Sequence, residues 1–117
     1  MSGKGAYKDI PTSAARANPQ TGLVTQGTSN ATTVVLNAEV GVITMFGVLN
    51  ATTAATFTCT NAFVTASSII MLCGEADKGL SVSVASRAAG TFNIVVYNPN
   101  AGNTAAAPKI HFSIRNL

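Results

Sequence analysis

The sequence predicts an all-β fold, an antiparallel β-sandwich or jelly roll of about seven to eight strands with an extended N-terminal arm. Three observations carry that expectation. Apolar and polar side chains alternate with a period of two through the last third of the chain. Turn-forming residues recur about every eight to twelve positions from residue 29 onward. No stretch of ten residues spaces its apolar side chains three and four apart, as a helix face requires. The natural division is an arm over 1–28 and a sandwich domain over 29–117.

The arm comes first. Residues 1–28 hold Pro11 and Pro19, several Gly and Ala, and few large apolar side chains besides Tyr7, Ile10, Leu23 and Val24. Such a segment cannot build a core of its own. In isolation arms of this kind are often disordered; in an assembly they drape over a neighbour, with Tyr7 and Ile10 as small anchors.

Short strand-like pieces follow at close spacing. Residues 32–37 alternate Val34 and Leu36 against Thr33 and Val35. Residues 41–49 carry Val42, Ile43, Met45, Phe46 and Val48 on both faces, which predicts a central strand covered on both sides. Residues 54–60 set Phe57 and Cys59 inward and Thr56, Thr58 and Thr60 outward. Residues 68–73 form a continuous apolar run and predict a second two-sided strand, ended by the turn around Glu75–Gly79.

The closing segment is the clearest. Leu80, Val82 and Val84 point one way, and Ser81, Ser83 and Ala85 the other. After a break at 87–90, Phe92, Ile94 and Val96 oppose Asn93, Val95 and Tyr97. Ile110, Phe112 and Ile114 then oppose His111, Ser113 and Arg115. The expectation is a hairpin plus a terminal strand that share one buried face. The opposite face is nearly uncharged, so Asn93, Val95, Tyr97, His111 and Arg115 become candidate subunit contacts.

Composition narrows the class. The chain has 117 residues, enough for one core, and 47% are hydrophobic. Charged residues make up only 9%, against roughly 25% in an ordinary soluble domain. That balance argues against wholesale disorder, and no apolar run approaches the ~20 residues of a membrane span. The surface must be Thr, Ser, Asn, Ala and Gly, which is cheap to desolvate against a partner. It suits a protein that works in an assembly, or a secreted domain with a Thr-rich skin. The net charge of +3 does not form a patch. Its seven basic residues are scattered without interleaved aromatics, so direct nucleic-acid binding is not expected. Residues 1–25 lack the apolar core of a signal peptide, and a cytoplasmically made protein with reduced, buried Cys59 and Cys73 is expected.

Catalytic chemistry is thin. His111 is the single histidine, and no metal-ligand spacing surrounds it. At a subunit contact it would make assembly mildly pH-sensitive. The four carboxylates are Asp9, Glu39, Glu75 and Asp77. Glu75 and Asp77 share one loop, but calcium wants six to eight oxygens, and a solvated turn beside Lys78 fits better. A thiol nucleophile would need His111 beside Cys59 or Cys73. The reading is therefore no enzyme, no cofactor and no metal.

The phrases Thr33-Val34-Val35-Leu36-Asn37-Ala38, Ala55-Thr56-Phe57-Thr58, 61–68, Val82-Ser83-Val84-Ala85 and Ala89-Gly90-Thr91-Phe92-Asn93-Ile94, together with the final 110–114 strand, resemble small virion proteins of tailed bacteriophages. The resemblance spans about 28–117 and rests on strand and turn phrases. It implies a jelly-roll or sandwich module that decorates a capsid as a cement protein, or else forms part of a tail or fibre with a receptor- or carbohydrate-binding role. It further implies the major capsid protein as partner, a homo-oligomer, often a trimer, and a place on the capsid exterior. On that reading Tyr7, Lys8, Ile10 and Arg16 of the arm touch the shell. The carbohydrate role is disfavoured by the absence of Trp and by only two Tyr. A secreted domain stapled by a Cys59–Cys73 disulfide is the other alternative.

Overall fold

A computed structural model describes residues 19–117. It contains eight strands: β1 (Thr21–Thr25), β2 (Val34–Val35), β3 (Val40–Thr44), β4 (Ala54–Thr60), β5 (Ile69–Glu75), β6 (Ser81–Ala88), β7 (Thr91–Tyr97) and β8 (Lys109–Arg115). They form two four-stranded sheets. Sheet I has the order β1-β3-β8-β5 and sheet II the order β2-β4-β7-β6. No helix occurs among the described residues. The all-β sandwich expected from alternation and turn spacing is the fold.

The topology departs from a purely antiparallel sandwich. β3·β8, β5·β8, β4·β7 and β6·β7 are antiparallel, but β1·β3 and β2·β4 are parallel. The chain passes from β1 to β2 in the opposite sheet and back to β3, so it re-enters sheet I in its original direction. Parallel neighbours need such a crossover, which replaces the tight hairpin of an antiparallel pair. Thr21↔Val40 and Leu23↔Val42 set the β1 register. Residues 21–25, grouped with the arm on composition, thus belong to the folded module.

Alternation places the core between the sheets. Ile43, Ile110, Phe112 and Ile114 from sheet I, with Met45 just past β3, meet Phe57, Cys59, Phe92, Ile94 and Val96 from sheet II, all buried. Phe92 and Phe112 touch edge to face across the gap, with centroids 5.8 Å apart. The closing hairpin and the last strand share this core, yet they lie in different sheets and face one another. Gly41 is required by close approach, because a Cβ there would sit 2.7 Å from the Phe112 ring and 2.9 Å from Leu36. The β6–β7 hairpin turns at Ala89-Gly90, where Gly90 takes φ +84°. A bulge at Ala85 shifts the β6 register by one residue, so that Arg87 rather than Ser86 stands opposite Phe92.

Buried amides clasp the loops. Asn61 Nδ2 donates to Ala38 O at 2.7 Å while its Oδ1 accepts from Phe63 N–H at 3.0 Å. Asn98 Nδ2 donates to Leu49 O and Gly102 O, each at 3.0 Å, and Asn98 Oδ1 accepts from Asn100 N–H. Gln26 Nε2 holds Asn30 O and Thr32 O, and its Oε1 takes the Phe46 N–H. Each is buried with its polar atoms satisfied.

Both runs read as two-sided strands are one-sided. β3 ends at Thr44, and Phe46 and Val48 emerge exposed. β5 lies at the edge of sheet I, where Ile70 and Leu72 face inward and Ile69, Met71 and Cys73 face out. Their apolar character reflects an outer face that no described residue covers.

Candidate functional site

The outer face of sheet I is built by strand parity. One row across the sheet reads Leu23, Val42, His111, Cys73, and the next reads Thr21, Val40, Ser113, Met71. A third row, Thr25, Thr44, Lys109, Glu75, brings charge to one end. Leu23 is 80% exposed and Met71 68%. Two shallow depressions, about 380 and 330 Å³, lie to either side of β8 and share Val40, His111 and Phe112. Their walls are mostly apolar, and His111 is the one titratable group common to both.

His111 Nε2 lies 2.7 Å from Glu75 Oε1 on this face, both side chains being well exposed. The hydrogen bond from His111 holds the Glu75 carboxyl below the usual glutamate range, helped by the charges of His111 and Lys109. Cys73 is the cross-strand neighbour of His111. Its Sγ nevertheless contacts Gly74 O at 3.8 Å and makes no hydrogen bond to the ring. A thiol–imidazole pair of the kind needed for nucleophilic catalysis is therefore not assembled.

Glu75 and Asp77 do not converge. Asp77 Oδ1 accepts the Ala105 N–H at 2.9 Å and Oδ2 meets Lys78 Nζ at 3.1 Å, which together hold its carboxyl low. Asp77 thus ties the β5–β6 loop to the 99–108 loop. Among the described residues no three His, Cys, Asp or Glu side chains group as metal ligands. The two cysteines are free, but only Cys59 is buried; Cys73 is exposed on β5, against the expectation of two buried thiols. Burial pushes the Cys59 thiol up to about 12.

The five candidate subunit contacts do not form one patch. His111 and Arg115 lie on the outer face of sheet I, while Asn93, Val95 and Tyr97 lie on the outer face of sheet II. Asn93 is engaged there, accepting from Thr58 Oγ1 at 2.5 Å and donating to Ser86 Oγ at 2.7 Å. Tyr7, Lys8, Ile10 and Arg16 lie outside the described residues. Sequence reasoning missed Leu23, Val40 and Met71, whose apolar character at outward positions was the available signal. Comparison with protein-family models, curated proteins and solved structures finds no match for this chain.

Proposed function

We propose that the chain is a structural subunit of a bacteriophage virion, a capsid decoration (cement) protein that binds the outer shell across subunit seams and stabilises it. The observation that supports this reading best is the apolar, weakly charged outer face of sheet I, centred on Leu23, Val40, Val42 and Met71. An exposed apolar face of this extent is characteristic of a protein that packs against others. Few charges need desolvating when it is covered, so each contact is cheap to make. Many such contacts summed over a shell resist opening by avidity. The partners are the major capsid protein and other copies of this chain, on the capsid exterior of a particle assembled in the host cytoplasm. The role is mechanical, with no catalytic step and no cofactor.

The test is a pair of particle preparations, with and without this protein. Particles that contain it should hold many copies each and should withstand heating and low ionic strength that disrupt the others. Equal resistance would remove the reinforcing role. A handful of copies per particle would instead assign the chain to a tail or fibre.

A further inference from the structure

We infer that β5 is a self-pairing edge: two copies of this chain join by antiparallel β5·β5 pairing centred on Leu72, continuing sheet I from one copy into the other. The backbone directions establish which groups are free. Ile114 N–H donates to Glu39 O at 2.8 Å, and Pro108 O accepts from Met45 N–H at 2.9 Å. Even-numbered residues of β8 therefore turn their polar groups toward β3, and odd-numbered ones toward β5. Their partners Ile69, Met71, Cys73 and Glu75 spend their own on β8. The N–H and C=O groups of Ile70, Leu72 and Gly74 are left at the open edge. Among the described residues their only contact there is the long one from Cys73 Sγ to Gly74 O.

The other edges are blunted, and this one is not. β2 is two residues long, β1 is five and follows Pro19, and β6 carries a bulge and Arg87. β5 runs seven residues with no Pro, Lys or bulge. Those are the devices by which sheets avoid edge-to-edge pairing. The core is also open on this side. Ile70, Leu72, Leu80, Val82 and Val84 all come from β5, β6 or their link, and all stay only partly buried.

A second copy completes this edge because β5 complements itself. Centred on Leu72, the pairing matches all three free residues: Leu72 with Leu72, Ile70 with Gly74, and Gly74 with Ile70. Inward side chains Leu72 and Ile70 extend the apolar layer of each sandwich. On the outer face Met71 stands opposite Cys73, and Glu75 opposite Ile69 of the second copy. Ile69 is itself paired with Arg115, and Arg115 has no ion pair among the described residues. Each Glu75 then shares a row with the other copy's Arg115, so the charges at the two ends complement one another. This contact is two-fold, unlike the trimer that the phage resemblance implies, and it does not depend on the virion reading.

Sedimentation equilibrium of the full chain tests it, and the expected result is a dimer at high concentration. The variant Met71→Lys/Cys73→Lys changes two exposed residues and sets lysines directly opposite lysines. It should weaken dimerisation at least about tenfold, while at concentrations low enough for both chains to be monomeric its thermal midpoint stays near that of the parent. Met71→Cys should cross-link to Cys73 of the second copy under copper phenanthroline in air, because opposed non-hydrogen-bonded residues lie at disulfide distance. The parent, with Cys73 opposite Met71, should not. A chain that stays monomeric, a dimer indifferent to the lysines, or a Met71→Cys dimer that fails to cross-link would each overturn the inference. So would a monomer whose Ile70, Leu72 and Gly74 amides resist hydrogen exchange, since another part of the same chain would then hold the edge.

Discussion

Replacing Asn61 by Ala removes a clasp that stands where the end of β4 meets the turn into β3. Asn61 and Ala38 are both fully buried, and the 2.7 Å bond between Asn61 Nδ2 and Ala38 O satisfies that carbonyl. Truncation leaves the carbonyl without a donor, which costs about 1–3 kcal/mol, and removes the Phe63 N–H partner for about 1 kcal/mol more. The expected loss is about 2–4 kcal/mol. In thermal melts that is a drop of roughly 10–25 °C for a domain of this size. Urea unfolding followed by far-UV circular dichroism measures it, with the midpoint falling and the slope unchanged. Asn61→Asp keeps the shape and the acceptor but aims a carboxylate at a carbonyl, so it should cost at least as much near neutral pH. Asn100→Ala is the contrast: its bond to Gly79 O is exposed, and Asn98 Oδ1, which it also meets, keeps the Asn100 N–H, so the loss should stay below about 1 kcal/mol. If Asn61→Ala lay within about 0.5 kcal/mol of the parent, the clasp argument would be refuted.

Three further outcomes can be checked directly. Phe112→Ala removes one half of the inter-sheet ring pair and should cost about 3–5 kcal/mol, whereas Gly41→Ala should cost about 1–3 kcal/mol by driving a methyl into that ring; both are read from denaturant midpoints. Ellman's reagent on the native protein should titrate Cys73 rapidly and Cys59 only after denaturant is added, because the Cys59 thiol is buried with its pKa pushed up to about 12. The Glu75 carboxyl should titrate by NMR below the ordinary glutamate value and return toward it in His111→Ala. A carboxyl lowered in the folded state stabilises the fold above its unfolded pKa, so this small contribution fades as pH falls through the lowered value.

Much of the fold was legible, for a physical reason. Leu80–Val84, Phe92–Val96 and Ile110–Ile114 alternate because each strand has one face in the core, and that face dominates its side-chain choice. The pattern misleads where the outward face is apolar as well. Val42, Ile69 and Met71 make β3 and β5 look covered on both sides, although burial is confined to one. Parity fixes which way a side chain points but not which sheet a strand joins, so Tyr97 and His111 seemed neighbours when they lie on opposite faces of the sandwich. The clasps at Gln26, Asn61 and Asn98 were illegible, since a buried Asn and a surface Asn read alike. The closeness of Cys73, His111 and Glu75 depends on the β5·β8 register, which joins segments far apart in the chain.

The position of β8 also governs when the protein can fold. It lies in the middle of sheet I, between β3 and β5, and supplies Ile110, Phe112 and Ile114 to the core. A nascent chain that has emerged from the ribosome only as far as β7 can form the β6–β7 hairpin and pair it with β4. It holds the β1·β3 pair and β5 as fragments of a sheet whose connecting strand is missing. Folding must therefore wait for nearly the last residue of the domain, and pairing over such sequence distances is intrinsically slow. Until then the edges of β3 and β5 that β8 will cover stay unpaired, and unpaired strand edges are the sites at which chains associate wrongly.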